Sequence, residues 1–249
     1  MHVLKKAVLL TLSFTSTAVL AAAASSSCPA QNYEMALRYQ QKSAEVMALQ
    51  LQTYRFAQAR FDQKSGQLSA PEKAAIVLDL DETVIDNSAL LVRDAKECHD
   101  YTQWDTWDSW EKHGNPRLIP GAKAFLENVN NKKVRIFYVS DRSEKNKAQT
   151  MATLKKLGLP QVSEQNILLD TESKEKRRAK IMRDYQIIML FGDSLPDFAA
   201  QFKAKKSAES QHQLVSESAA HFGDDWFVLP NSAYGAWSTY DTEGWKEIK

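Results

Sequence analysis

Short apolar runs alternate with amphipathic segments along the central part of the chain. Four of the runs have the length and the β-branched content of buried strands. The pattern predicts strands at 74–80, 134–140, 166–169 and 186–191, and helices at 121–130, 144–157, 174–184 and 195–202. Apolar strands that alternate with helices are typical of a parallel sheet covered on both faces. We therefore expect an α/β fold in which helices sandwich a parallel sheet.

Three segments lie outside this alternation. Residues 33–63 contain no Gly or Pro and are rich in Ala, Gln, Leu and Met, which predicts one long helix as an N-terminal extension. Residues 90–117 follow the first strand and contain three tryptophans, and we expect them to form a small cap over the carboxyl edge of the sheet. Residues 203–221 are polar and predict a surface helix or loop. We interpret residues 25–249 as a single domain.

The first 24 residues have the pattern of a cleaved signal peptide. Lys5 and Lys6 precede a mostly apolar run, and the segment ends in small residues that suit a cleavage site. The run is short and rich in Thr and Ser, unlike a membrane-spanning helix. We therefore expect a periplasmic or secreted protein without an integral membrane span after the signal is removed.

Cys28 and Cys98 are the only cysteines in the chain. In an oxidising compartment such a pair predicts one disulfide. Lipid attachment at Cys28 is the alternative. It is less favoured, because Ser25 stands where a lipidated cysteine usually has a large apolar residue.

The charges of the chain nearly balance. It has 32 basic and 31 acidic residues, which gives no support for binding a nucleic acid polymer. The mean hydropathy of −0.46 excludes a polytopic membrane protein. We expect small-molecule partners, and the sequence leaves the oligomeric state open, including a homodimer.

Acidic residues follow two of the predicted strands. Asp79 and Asp81 are two apart and would point to the same side of an extended segment. Asp193 and Asp197 would lie one helical turn apart. Ligands of such folds bind at this edge of the sheet, and Mg²⁺ would relieve the repulsion between four carboxylates. The alternative is that these acids only cap helices.

Ser140, Arg142 and Lys174 suit an anionic substrate at the same edge. Ser140 ends the second strand, Arg142 follows it, and Lys174 opens a helix. A lysine there would supplement the N–H groups of the helix N-terminus in binding phosphate.

These residues resemble the four motifs of the haloacid dehalogenase (HAD) superfamily. The motifs are DLDET at 79–83, Ser140, Lys174 and GDSLPDF at 192–198. With the DN at 86–87 that follows DLDET, and with TWDSW at 106–110, IPGA at 119–122 and LPNSAYGAW at 229–237, the chain resembles the class C nonspecific acid phosphatases. In the family, the lysine of the third motif usually lies one residue further from the GD of the fourth motif than Lys174 does here. Lys176 is therefore an alternative to Lys174.

The resemblance implies a HAD-like Rossmannoid fold and hydrolysis of phosphomonoesters, including nucleoside 5′-monophosphates. Asp79 would be the nucleophile that forms an aspartyl-phosphate, and Asp81 the general acid and base. Ser140 and Lys174 would hold the phosphoryl group, and Arg142 would contact the substrate.

The resemblance also implies a metal site and a base-binding site. Mg²⁺ would bind Asp79, the Asp81 carbonyl and Asp193. Asp197 would be a further ligand, or would contact the ligands without binding the metal itself. Trp107 and Tyr234 would stack on a nucleobase. The spacing of the three tryptophans is equally that of a helix face that packs in a core.

Three other functions are compatible with the same motifs. A phosphotransferase would pass the phosphoryl group to another alcohol. A non-catalytic binding or storage protein would lack the nucleophile, yet Asp79 is present. A receiver-type signalling domain would use Asp79 as a phosphate acceptor, but the signal peptide argues against it.

Overall fold

The computed structural model describes residues 28–203 and 207–245. The predicted signal peptide at 1–24 lies outside these residues. Among the helices of the described ranges, none is both long and apolar enough to cross a membrane.

Most of the described chain is regular secondary structure. Within residues 28–203 and 207–245 the chain forms seven strands: β1 (Ala74–Leu78), β2 (Ile85–Asp86), β3 (Arg117–Leu118), β4 (Arg135–Ser143), β5 (Ile167–Asp170), β6 (Gln186–Gly192) and β7 (Trp226–Val228). The same ranges contain eight α-helices: α1 (Glu34–Lys42), α2 (Ala44–Ser65), α3 (Ser88–Lys96), α4 (Trp107–His113), α5 (Ala122–Asn131), α6 (Lys147–Lys156), α7 (Lys174–Ile181) and α8 (Ala208–Glu217).

Five of the strands form one parallel sheet in the order β5-β4-β1-β6-β7. β1 lies at the centre and every one of its residues is buried, as its unbroken apolar sequence predicts. Val77 of β1 pairs with Phe137 on one side and with Leu190 on the other. The predicted α/β fold, a parallel sheet flanked by helices, is confirmed.

The two faces of the sheet carry separate hydrophobic clusters. Ile76 and Leu78 point to the face covered by α2, α5 and α6, where Tyr54 and Phe125 pack. Val77 points to the opposite face, toward the side chains of α7 and β7. This alternation along β1 is the two-residue period of a strand.

The N-terminal extension differs from the single helix predicted for 33–63. It is interrupted at Ser43, whose ψ of 131° is extended, and the chain continues as α2. The Ser43 hydroxyl accepts hydrogen bonds from the amides of Glu45 and Val46. Serine favours such an N-cap position because its side chain satisfies amides that have no partner in the first turn.

The helix predicted for 195–202 is also wrong. The structure has two short 3-10 turns there, Leu195–Asp197 and Ala200–Phe202. Pro196 is the second residue of the first turn, and the Asp197 carboxylate accepts the Ser194 amide at 3.0 Å. This local bond holds the acidic side chain against its own turn and toward the carboxyl edge of the sheet.

The cap leaves and rejoins the core through a two-stranded antiparallel sheet. Ile85 of β2 pairs with Leu118 of β3, so the two ends of the insertion lie side by side. The insertion contains α3, α4 and a 3-10 turn at Tyr101–Gln103. Its apolar side chains form a third cluster with Leu37 of α1 and with Ala233.

The predicted disulfide is present. Cys28 and Cys98 are joined, and their Cα atoms are 5.4 Å apart. Cys28 precedes a 3-10 turn at Pro29–Tyr33 and Cys98 follows α3. The bond therefore ties the N-terminal segment to the cap.

Candidate active site

Asp79 lies at the carboxyl end of the central strand. Its amide donates to the carbonyl of Phe191 at 3.0 Å, which continues the pairing of β1 with β6 by one residue. The residue is 7% exposed. Its Oδ1 accepts a hydrogen bond of 2.7 Å from the Nζ of Lys174, so the carboxylate is held at the bottom of a cleft.

Two further carboxylates meet Asp79 at this edge. Ligand atoms of Asp79, Asp193 and Asp197 all lie within 4.8 Å of one another. Asp193 accepts from the hydroxyl of Thr83 at 3.3 Å and from Nδ2 of Asn231 at 2.8 Å. Three of the four acids singled out in the sequence are thus brought together.

Lys174 is the cation inside this cluster. Its Nζ donates to Asp197 Oδ1 at 2.6 Å as well as to Asp79. The alternative, Lys176, is exposed on the same helix. The structure therefore places Lys174, and not Lys176, against the acids.

The cluster carries more negative than positive charge. Burial raises the pKa of Asp79 well above its usual range, Lys174 lowers it, and Asp197 and Asp193 raise it further. Burial and the neighbouring Asp197 raise the pKa of Asp193 to about 7. Burial alone would lower the pKa of Lys174, but Asp197 and Asp79 outweigh it and raise that pKa. Three carboxylates around one ammonium suit a divalent cation with oxygen ligands.

The side chain of Asp81 does not join the cluster. The chain bends at Leu80 and turns sharply, with the Leu80 carbonyl accepting the amides of Val84 and Ile85 at 2.8 and 2.9 Å. Because the backbone is not extended beyond Asp79, the two-residue alternation used in the sequence analysis does not apply. The Asp81 carboxylate instead accepts a hydrogen bond of 3.2 Å from the hydroxyl of Ser140.

Arg142 holds Asp81 from the other side. Its Nε and Nη2 donate to Asp81 Oδ1 at 2.9 and 2.7 Å. Arg142 lines the cleft, but it is only 3% exposed, and its Nη2 also donates to Asn87 at 3.1 Å. The bonds of this arginine thus go to the side chain expected to act as acid and base.

A family comparison identifies the chain. The HAD superfamily, subfamily IIIB (Acid phosphatase), matches residues 4–237. The chain belongs to this family.

Solved structures of a relative agree with this assignment. The class C acid phosphatase from Bacillus anthracis is 34% identical, with a TM-score of 0.78 over 85% of this chain and 88% of that chain. The same protein with tungstate bound gives a TM-score of 0.79 at 34% identity, again over 85% and 88% of the two chains. The chain is an acid phosphatase, a hydrolase of phosphomonoesters.

The acid phosphatase has a cleft of about 1000 Å³ above its carboxylates. Trp104, Trp107 and Tyr234 line this cleft. Tyr234 contacts both tryptophans edge to face, with ring centroids 5.1 Å from Trp104 and 6.1 Å from Trp107. Perpendicular rings at these distances are in direct contact, so the rings of Trp107 and Tyr234 leave no parallel gap between them.

Glu82 is a buried acid of this phosphatase that the sequence analysis did not single out. It is 1% exposed, accepts the Asn87 amide at 2.8 Å, and accepts the hydroxyl of Tyr234. Burial and the charge of Asp81 raise its pKa. Glu82 therefore joins the loop after β1 to the loop that carries Tyr234.

Arg177 and Arg178 follow Lys174 on α7 and were not singled out in the sequence. Both are buried. Arg177 donates to the carbonyl of Ser140 at 2.6 Å, and Arg178 donates to the carbonyl of Asp197 at 2.6 Å. Their spacing from Lys174 puts all three on one side of α7, a pattern that could have indicated a common role.

Proposed function

We propose that this acid phosphatase works in two steps through an aspartyl-phosphate at Asp79, with Mg²⁺ bound by Asp79, the Asp81 carbonyl and Asp193, and with Asp197 adjoining. The observation that carries the proposal is the group of three carboxylates within 4.8 Å of one another. Lys174 alone does not balance their charge. When bound, the cation would shield the negative charge of the phosphate from the nucleophile.

In the first step a carboxylate oxygen of Asp79 attacks phosphorus and the bond to the leaving alcohol breaks. Asp81 gives its proton to the departing oxygen. In the second step Asp81 takes a proton from water, the hydroxide attacks phosphorus, and the bond to Asp79 breaks. Two steps with a positioned acid and base replace one more difficult displacement.

Lys174 and Ser140 hold the phosphoryl group in this proposal. The Lys174 ammonium already lies 2.7 Å from Asp79, so it would meet phosphate oxygens next to the nucleophile. The Ser140 hydroxyl donates to Asp81 at 3.2 Å, so it lies beside the proposed acid and base. Tungstate, the oxyanion bound in the Bacillus anthracis structure, is a direct probe of this pocket.

The proposed substrates include nucleoside 5′-monophosphates. The aromatic side chains in the cleft offer faces on which any base can stack. Because Trp107 and Tyr234 are in edge-to-face contact, one ring must turn before a base enters between them. Trp104 is 49% exposed and presents a face without such a movement.

We also propose that the enzyme is periplasmic or secreted. The disulfide between Cys28 and Cys98 supports an oxidising compartment, in agreement with the signal pattern of the sequence. It occupies the Cys28 sulfur, which a lipid anchor would need.

Phosphate release is the test of the proposed function. We expect release from p-nitrophenyl phosphate and nucleoside 5′-monophosphates, loss of activity with EDTA, and recovery with Mg²⁺. Tungstate is expected to compete with these substrates. Asp79→Asn should abolish turnover, whereas Asp105→Asn, at an exposed cap carboxylate, should retain it. Full activity of Asp79→Asn, or activity indifferent to EDTA, would overturn the proposal.

A further inference from the structure

Asn87 lies where the cap joins the core, directly before α3, and is fully buried. Its Nδ2 donates to Asp81 Oδ1 at 2.8 Å. Its Oδ1 accepts from Nε1 of Trp110 at 2.7 Å and from Nη2 of Arg142 at 3.1 Å. One amide thus contacts the proposed acid and base, the cap, and the arginine that holds that acid.

We propose that Asn87 is a positioning residue for Asp81, and that Trp110 of the cap sets its orientation. The inference rests on the proposed role of Asp81 as general acid and base. Through Asn87, the alignment of that acid depends on a cap side chain whose hydrogen bond goes to Asn87 and not to Asp81 itself.

The two donors to Asn87 determine which way its amide faces. Indole and guanidinium nitrogens only donate hydrogen bonds. Turning the amide over would set its NH₂ group against Trp110 and Arg142, and its oxygen against the Asp81 carboxylate. All of these contacts would be repulsive, so the observed orientation is fixed by chemistry.

The hydrogen bonds also distinguish the two oxygens of Asp81. Oδ1 accepts from Asn87 and from both Nε and Nη2 of Arg142. Oδ2 accepts only from Ser140 at 3.2 Å and from Nε of Arg142 at 3.1 Å. Oδ1 is fully engaged as an acceptor, so Oδ2 is the oxygen that carries the proton to the leaving group.

Gly114 makes room for Trp110. A Cβ at position 114 would lie 2.4 Å from Cδ2 of Trp110 and 2.5 Å from its carbonyl oxygen. Any side chain there must move the indole or the end of α4. A substitution at position 114 would therefore disturb the hydrogen bond between Trp110 and Asn87 without changing either residue.

Leaving-group chemistry separates a loss of alignment from a general loss of structure. An ester of an acidic phenol expels its leaving group without a proton, whereas an alkyl phosphate needs one. The value of kcat/KM reports the steps through phosphorylation of Asp79, before the water attacks. Misalignment of Asp81 must therefore lower kcat/KM for the alkyl phosphate much more than for the aryl phosphate.

The test compares ethyl phosphate with 2,4-dinitrophenyl phosphate in the full-length enzyme with Mg²⁺. We expect Trp110→Phe to lose about tenfold or more in kcat/KM for the alkyl ester and less than about twofold for the aryl ester. Gly114→Ala should show the same bias. Trp245→Phe, the same change at a tryptophan that is 87% exposed and does not line the cleft, should leave the ratio of the two substrates unchanged.

Asp81→Asn distinguishes failure of the inference from failure of the proposed function. If Asp81→Asn shows the substrate bias but Trp110→Phe and Gly114→Ala lower both substrates equally, or not at all, the role of Asn87 and Trp110 is overturned. If Asp81→Asn itself shows no bias, the proposed role of Asp81 as general acid is wrong.

Discussion

At the scale of single residues, the site depends on the close approach of Asp197 to Gly192. A Cβ on Gly192 would lie 2.3 Å from Asp197 Oδ2 and 2.4 Å from its Cβ. The missing side chain is what lets the Asp197 carboxylate lie beside Asp193 and Lys174. The glycine of the GDSLPDF motif thus has a steric explanation.

Gly192→Ala should displace Asp197 and disorganise the carboxylate cluster. We expect kcat/KM to fall about a hundredfold, since displacements near 1 Å have this effect on reacting groups. The Mg²⁺ concentration for half-maximal activity should rise. Steady-state kinetics measure both, with Gly244→Ala, where a Cβ meets nothing within 4 Å, as the control. Wild-type kinetics for Gly192→Ala would refute the steric explanation.

Arg177 provides a second test at this scale. Its guanidinium donates to the carbonyls of Ser140 and Leu168, at 2.6 and 3.0 Å, and to Asp141 at 2.5 Å. An ammonium cannot reproduce this forked arrangement, so we expect Arg177→Lys to lower the free energy of unfolding by about 2 kcal/mol. Urea denaturation measures the change. The exposed neighbour variant Lys176→Ala should stay within about 0.5 kcal/mol of wild type, and equal stabilities of the two variants would contradict the role of Arg177.

At the scale of elements, long apolar runs were predictable and short elements were not. β1 is buried throughout and β6 is buried from Ile188 to Gly192, so both contain long apolar runs. β7 was not predicted, because it has three residues and one of them, Val228, is exposed. The break at Ser43 was missed, since no Gly or Pro marks it and only the cap geometry makes the serine a helix start.

The site was predictable to a similar degree. Asp79, Asp193 and Lys174 stand in motifs, and their convergence follows from the parallel sheet. The contacts of Asn87 and Arg177 could not be predicted in the same way, because they depend on burial and on hydrogen bonds across the sheet edge. For the same reason the turn after β1, which directs Asp81 toward Arg142, was not anticipated.

The break between α1 and α2 yields a prediction of its own. Ser43→Ala removes the acceptor of the Glu45 and Val46 amides and should lower the free energy of unfolding by about 1 kcal/mol. Ser43→Asp should recover most of that loss, because aspartate caps helices equally well. Urea denaturation of the three proteins gives the comparison. An alanine variant as stable as wild type would mean that the cap bonds contribute nothing.

At the scale of the whole molecule, the N-terminal segment belongs to the wall of the cleft. Tyr33 lines the cleft, and its ring lies 5.0 Å from that of Tyr101 in the cap. The disulfide ties this segment to the end of α3. The disulfide and the apolar contacts of α1 with the cap therefore both hold the N-terminal segment against the cap.

Loss of the disulfide should destabilise the protein without touching the catalytic residues. The bond joins cysteines 70 residues apart, for which loop-closure entropy gives about 4 kcal/mol of stabilisation. We expect Cys28→Ser, Cys98→Ser and the double variant to lose this amount equally, because either change breaks the same bond. Denaturation of oxidised and reduced wild type provides the reference. Additive losses in the double variant would show that the two cysteines act independently.

The central claim is that Asp79 becomes phosphorylated during turnover. Rapid acid quenching of the enzyme with substrate and Mg²⁺, followed by peptide mass spectrometry, tests it most directly. We predict a phosphoryl group on the peptide that contains Asp79, assigned to that residue by fragmentation, and none in Asp79→Asn. A phosphoryl group on any other residue, or active enzyme that hydrolyses substrate without ever carrying one, would contradict the account.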